Sequence, residues 1–405
     1  MRRSAFFLIC LLLPFLPSRA AEFSDYYGTA SGAFSDSHTG LTVFPLLEIP
    51  LSTRAASMGN AYTGVFLDAG ALAANPASTA FLGETELSFS HNNWLADSSI
   101  EAAAYTRRLG AWGLGGAAWI LHLPFTAYNS YGETTAAVRI PEAVLALNFS
   151  RAFFNNYYFK GVAVGVNLKG ALRMVPAAVY GGQSLAGLMA DIGLASSFNF
   201  LKFYTSRERN FSLGLAVKNL GMVTGSDPLP SLVSAGFAYS PVRPLLLSFD
   251  FNYPFTLDPS ISAKKWYLGA GANVRVTDFL SLQTGWTFPG ANPRISLGSA
   301  LHLKEFSLLV NYTLDLTTQV KAPDRFTLEA RFTMGDEGRA RTQDEVDAYY
   351  LEGLQAYAQG NLERAIAYWE ACLSLNPNFK PAGDFLIIVR KTLELNQRLN
   401  ELNRL

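Results

Sequence analysis

The run Leu245–Tyr253 alternates without a break. Leu245, Leu247, Phe249, Phe251 and Tyr253 fall on one side of an extended chain, and Leu246, Ser248, Asp250 and Asn252 on the other. Period-two alternation with aromatics on the apolar side predicts a strand with one greasy face and one mixed face. The pattern recurs. Phe211, Leu213, Leu215 and Val217 alternate with Ser212, Gly214, Ala216 and Lys218; Phe306, Leu308, Val310, Tyr312 and Leu314 alternate with Ser307, Leu309, Asn311 and Thr313. Phe326, Leu328, Ala330 and Phe332 alternate with Thr327, Glu329, Arg331 and Thr333. Segments of roughly nine to eleven residues are what a tilted strand needs to cross a bilayer.

After residue 83 about fourteen such strands are expected, beginning near Glu84, Ser98, Ala111, Glu142, Gly161, Ala186, Phe211, Pro230, Pro244, Trp266, Phe279, Pro293, Phe306 and Arg325. Very short connections at Arg108-Leu109-Gly110, Pro241-Val242-Arg243, Thr277-Asp278 and Lys304-Glu305 all follow even-numbered strands. Long ones, Leu123 to Pro141, Arg173 to Leu185 and Tyr253 to Lys265, follow odd-numbered strands. The turns Arg151 to Lys160 and Asn199 to Asn210 are longer exceptions on the even side. Short turns at one end and long loops at the other are the asymmetry of a barrel in an outer membrane. A water-soluble sandwich has no reason to sort its loops in this way. The expected fold is an all-β transmembrane barrel over residues 84–334, preceded by an N-terminal hatch and followed by a small all-α domain.

Bulk properties agree with export. Arg2, Arg3, the apolar run Ala5–Leu16 and Ser18-Arg19-Ala20 read as a signal peptide over residues 1–20. Ile9 stands where lipidation at Cys10 would want a small residue, and loss of the leader leaves Cys372 alone, without a disulfide partner. Lys+Arg and Asp+Glu balance at 32 each, which leaves no basic footprint for nucleic acid. Charged residues at 16% fall below the roughly 25% of soluble domains. The inward side of the strands reads as Ser, Gly, Ala, Asn and Thr with few charges, such as Lys218, Asp250, Glu329 and Arg331. Such a lumen is narrow, plugged or suited to an apolar solute.

Residues 22–83 carry no strand pattern. Pro45 and Pro50 break the chain, Thr53 or Ser52 can cap a short helix through Arg54 and Met58, and Asn75-Pro76 signals a turn. A small-residue, weakly charged segment placed before the first strand can fold inward and fill a lumen. Its motifs Arg54-Ala55, Met58-Gly59-Asn60-Ala61, Asp68-Ala69 and Asn75-Pro76-Ala77 resemble the hatch of the FadL-type long-chain fatty-acid channels. They equally resemble the PorV/PorQ outer-membrane family. The resemblance covers the hatch by motif and the barrel by strand number. It implies an outer-membrane channel for uptake of hydrophobic small molecules such as long-chain fatty acids, with a hydrophobic ligand in the lumen and outer-membrane lipid around the wall. Its PorV side implies instead a secretion-associated or structural barrel that holds protein partners.

Composition changes at Gly335. A linker is expected over residues 335–341, then helices over 342–405 that resemble a tetratricopeptide repeat through Tyr349, Gly353, Gly360, Ala365, Trp369, Leu373 and Pro377. A third helix opening at Pro381 places Phe385, Ile388, Val389, Thr392, Leu395, Leu399 and Leu402 on one face. One repeat buries little alone, so it is expected to dock on the barrel mouth or on a periplasmic or secreted protein. An even strand count puts this tail in the periplasm of a diderm bacterium. No enzyme, metal or cofactor is expected. The four histidines lack metal-ligand spacing, Gly182-Gln183-Ser184-Leu185-Ala186 only approximates a nucleophile elbow, and Gly269-Ala270-Gly271 precedes no helix.

Overall fold

The computed structural model describes residues 36, 38 and 40–402, apart from 95–96, 158, 178–182, 205, 207, 259–260, 289–292 and 317–324. The expected signal peptide (1–20) and the first part of the expected hatch (22–35) lie outside the described residues.

Fourteen antiparallel strands close into a barrel in which each pairs with its sequence neighbours, and β14 (Arg325–Thr333) returns to β1 (Glu86–Asn93). Closure registers Phe89 against Ala330 and Ser88 against Arg331. Where the sheet closes on itself it has no free edge, so the ladder groups of neighbouring strands satisfy one another within the wall. The alternation reads as expected on β9 (Leu245–Phe255): Ser248, Asp250 and Asn252 are buried inside, whereas Leu247, Phe251 and Tyr253 are exposed on the outer wall. The same phase leaves Leu147 and Phe149 of β4 (Thr134–Phe153) and Trp286 of β11 (Leu280–Phe288) facing out. Among the described residues no helix is long and apolar enough to cross a membrane.

One expected loop is a strand. β3 (Trp112–Tyr128) and β4 run on as a hairpin arm, so the connection between them is 129–133 rather than Leu123 to Pro141. Pro124 and Pro141 suggested a break. Beyond His122 and Glu142, however, the two strands pair only with each other, and proline is tolerated on such outer edges.

At the short-turn end, α3 (Arg339–Ala358), α4 (Leu362–Leu375) and α5 (Lys380–Leu402) form a small helical unit; two short helices of the inner chain, α1 (Thr53–Ser57) and α2 (Ala71–Ala74), precede them in sequence. Trp369 is its fully buried centre, stacked on Phe385 at 5.2 Å, with Ala365, Cys372 and Val389 around it. Gly353 lets α3 lie against that indole, since a Cβ there would overlap it. Gly360 makes the α3–α4 turn at φ 77. Tyr349 and Pro377 are on the surface and Leu373 is half-buried against the core.

Two details differ from expectation. The helix starts at Arg339, and the connection is fastened rather than loose. Thr85 N–H donates to Gly335 O at 2.8 Å, Arg107 pairs with Glu337 at 2.8 Å, and Arg339 donates to Gly83 O at 2.6 Å and Arg108 O at 2.9 Å. Phe379 also meets Tyr157 of the β4–β5 turn edge-on at 5.5 Å. The apolar residues of α5 divide between two faces: Phe385 and Val389 enter the core, while Ile388, Leu395, Leu399 and Leu402 are exposed.

Candidate functional site: the chain inside the barrel

Residues 43–83 thread the barrel from end to end. Val43 N–H donates to Pro228 O at 3.0 Å at the long-loop end. At the short-turn end, Lys160 donates to Phe81 O at 3.3 Å and Arg108 to Leu82 O at 3.5 Å. Local rules build the path. Ser52 caps α1 by accepting from Arg54 N–H at 3.2 Å. α2 follows, and Asn75 then caps a 3-10 turn, Pro76–Phe81, accepting from Ala77 N–H at 3.0 Å with proline at the first position.

A chain folded this loosely has many backbone groups that its own helices do not satisfy, and the wall supplies partners. Asp250 accepts from Tyr62 N–H at 2.9 Å and Thr63 N–H at 2.8 Å. Glu86 accepts from Ala69 N–H and Glu329 from Thr53 N–H, both at 2.7 Å. Asn148 of β4 donates to Pro76 O, and Asn167 of β5 (Phe159–Arg173) to Leu72 O, both at 2.9 Å.

At the centre is a buried charge cluster. Asp68 pairs with Arg54 at 2.9 Å and with Arg331 at 3.2 Å, and also accepts from the Tyr62 hydroxyl. Arg331 further pairs with Glu86 at 2.7 Å and Glu329 at 2.8 Å. Two guanidinium groups thus hold three carboxylates, joining the inner chain to β1 and β14. Burial makes such a cluster weak as a source of stability but strict about its partners.

Close approach needs glycine at a few wall positions. A Cβ at Gly271 of β10 (Tyr267–Arg275) would lie 2.6 Å from Met58 O, and one at Gly285 of β11 would overlap the Met58–Gly59 backbone. Gly269, 2.7 Å from Gly59 O by the same test, belongs to this seat, which is the use of the Gly269-Ala270-Gly271 run. Backbone cannot yield as a flexible side chain does. Gly285→Val is therefore expected to destabilise the assembled protein by about 1–3 kcal/mol or more. Its boiling-dependent gel mobility should be lost at a lower temperature than in Gly285→Ala, and equal transitions in both variants and the parent would contradict the seat.

Part of the lumen wall, across β2 (Ser99–Leu109) to β6 (Leu185–Phe198), is an apolar patch. Ile100 and Ala104 of β2, Trp119 and Leu121 of β3, Val144 of β4 and Met189 of β6 pack with Val43, Phe44, Leu46, Ile49, Leu51 and Leu72. Trp119 also donates to Leu46 O at 3.3 Å. Phe44 is fully buried yet left-handed, at φ 52 and ψ 62, a conformation that costs a bulky residue on the order of 1–3 kcal/mol.

The hatch-motif residues thus fall into separate seats. Arg54 and Asp68 meet in the charge cluster. Met58, Gly59 and Asn60 lie against β10 and β11. Asn75, Pro76 and Ala77 lie against β4–β6, where Asn75 donates to Leu194 O at 2.9 Å. Lys218 is half-buried on the inner side. Sequence reading undercounted the inner charges. Glu86, Glu142, Lys169, Arg173, Asp191, Arg294, Asp315 and Arg325 also line the lumen, mostly as pairs such as Lys169–Asp191 at 2.6 Å and Arg325–Asp315 at 3.0 Å. Their inward phase was the available signal. Among the described residues no three His, Cys, Asp or Glu side chains are grouped to hold a metal. Ser184 donates to Val175 O at 3.4 Å, while Gly182 of that motif lies outside the described residues.

Fold and site together define a fourteen-stranded barrel filled by its own N-terminal chain and carrying a helical repeat at one rim. The chain belongs to the family described as "Uncharacterised protein family (UPF0164)", which matches residues 24–336, and a tetratricopeptide repeat matches residues 346–379. A UPF0164 protein of Treponema pallidum (strain Nichols) is 27% identical over 413 residues, covering 98% of this chain and 95% of that one. A second from the same organism is 24% identical over 396 residues, covering 88% and 77%. Among solved structures, the Ralstonia pickettii toluene transporter TbuX is similar with a TM-score of 0.49 and 12% identity, over 70% of this chain and 98% of that one. The Pseudomonas putida toluene transporter TodX follows at 0.48 and 11%, over 70% and 96%. At these scores the fold rests on this chain's own strands.

Proposed function

We propose that this protein is an outer-membrane channel for hydrophobic small molecules, such as long-chain fatty acids, and that residues 43–83 are its hatch. The two-sided lumen carries the reading. One part binds the inner chain through charges and backbone hydrogen bonds. Beside it lies an apolar patch of wall, from Ile100 to Met189, packed chiefly against the side chains of Val43 to Leu51 and Leu72. A solute that replaces those side chains exchanges one apolar contact for another, at little net free energy. The outer wall supports a membrane setting: exposed Leu145, Leu147, Phe149, Leu168, Leu188 and Ile192 make an apolar surface that water would not tolerate. The long loops then face outward, and the helical unit faces the periplasm, within reach of a protein partner.

The structure is the closed state in this reading. A pocket between the inner chain and the wall, among Asn60, Asn92, Trp94, Arg294 and Arg325, measures ≈ 30 Å³, room for about one or two waters. The test is uptake of radiolabelled palmitate by cells whose outer membrane otherwise excludes it. Expression of the full chain should raise the initial rate several-fold, and deletion of residues 45–80 should add open-pore conductance in planar bilayers. Palmitate uptake no faster than in cells with empty vector would overturn the channel, and a silent bilayer after the deletion would overturn the hatch.

A further inference from the structure

We propose that Phe44 occupies a ring-binding subsite of the lumen, and that the channel favours solutes carrying a flat aromatic ring that takes the place of Phe44. The inference rests on the channel reading above and adds to it a preference, among hydrophobic solutes, for those that carry a ring.

The backbone comes first. Phe44 sits at φ 52 and ψ 62, a region suited to glycine or asparagine, yet its ring has no exposed surface. A segment that only filled space would meet that turn with a small residue. Here the surroundings hold a bulky side chain in an unfavourable conformation, which is released when the segment leaves.

The seat around the ring is built from the wall. Its floor is Gly187 of β6: a Cβ placed there would lie 3.0 Å from Phe44 Cε2, and the Met189 methyl carbon is 3.4 Å from the same point. Its roof is the Arg173 guanidinium of β5, 5.7 Å from the ring centroid. Arg173 does not depend on Phe44 for its position, because Glu142 of β4 accepts from its Nε at 2.8 Å and Nη2 at 2.6 Å. A cation fixed over a π face favours an aromatic ring over an aliphatic group of equal size. Glu142 also accepts from Leu46 N–H at 3.1 Å, so the group that positions the roof also holds the stopper. The subsite adjoins the long-loop end, where Val43 meets Pro228, so an incoming solute reaches it early.

Competition between Phe44 and solute is measurable on the full-length protein in detergent, by equilibrium dialysis above a micelle blank. The probes are benzyl alcohol, which carries a ring, and 1-hexanol, which is similar in size without one. Phe44→Ala removes the internal competitor and should tighten benzyl alcohol binding about tenfold, with 1-hexanol little changed. Gly187→Leu fills the floor and should abolish benzyl alcohol binding. If that variant does not assemble, shown by loss of boiling-dependent gel mobility, the two-probe comparison in Phe44→Ala decides alone. Unchanged benzyl alcohol affinity in Phe44→Ala, or an equal gain for both probes, overturns the subsite. Tighter ring binding in a protein that transports nothing keeps the subsite and refutes the channel. Palmitate uptake with ring binding indifferent to residue 44 does the reverse.

Discussion

Replacing Arg331 with methionine is expected to release the inner chain and turn a closed barrel into a conducting one. Arg331 alone contacts Asp68, Glu86 and Glu329. Without it, three buried carboxylates keep one guanidinium, Arg54, which reaches only Asp68. Removing one partner of a buried ion pair costs about 3–5 kcal/mol, because the remaining charge has no solvation. The cheapest relief is to move Asp68 toward water, which carries the flanking chain with it. Bilayer recordings should show frequent openings where the parent is quiet. Assembly of the strands should persist, since no ladder hydrogen bond involves the Arg331 side chain.

The same asymmetry supplies a control. Arg331→Met combined with Glu86→Gln and Glu329→Gln leaves Asp68 paired with Arg54 and no orphaned charge. This triple variant should be quieter than the single one, although more groups have changed. Amide acceptors at 86 and 329 can still serve Ala69 and Thr53 N–H. A single variant as silent as the parent, or a triple variant more open than the single, would show that the cluster does not hold the inner chain in place.

Much of this architecture is legible along the chain because a barrel wall is written with period two. In strand β9 the run Leu245 to Tyr253 is enough to show which side is greasy. What period two does not encode is partnership. Asp68 and Arg331 are far apart in sequence, and nothing local says that the inward Arg331 meets a residue of the inner chain. The phase of Glu142 and Arg173 is readable, but Glu142 stands at the expected start of a strand and Arg173 at the expected start of a loop, and neither position says that the two side chains meet. Pro124 and Pro141 misled in the same place, because proline reports local geometry and not whether a strand has neighbours on both sides. The division of α5 has a similar cause: Ile388 and Val389 look equivalent in a helical pattern, and only the finite size of the unit determines which is covered.

Trp369→Ala is expected to unfold the helical unit while leaving the barrel assembled. Trp369 has no exposed surface, stacks on Phe385, abuts Gly353 and donates to Tyr350 O at 3.3 Å. Deleting such an indole costs about 3–5 kcal/mol in cavity and lost contacts. A three-helix unit of this size has little stability to spare. Cys372 provides the readout. It is buried on α4 and donates to Val346 O at 3.5 Å, and burial pushes its thiol up to about 11, so at neutral pH the native unit should resist maleimide. With Cys10→Ser introduced to leave one thiol, Trp369→Ala should label at least tenfold faster, since labelling follows the open population. The base contacts Arg107–Glu337 and Arg339 to Gly83 O lie outside that core, at the barrel rim. Boiling-dependent gel mobility should therefore be that of the parent. A thiol as protected as in the parent would mean that Trp369 does not hold the unit together. Loss of the barrel's mobility shift would mean that the rim contacts carry the fold of the wall, and that the helices assemble with it as one body.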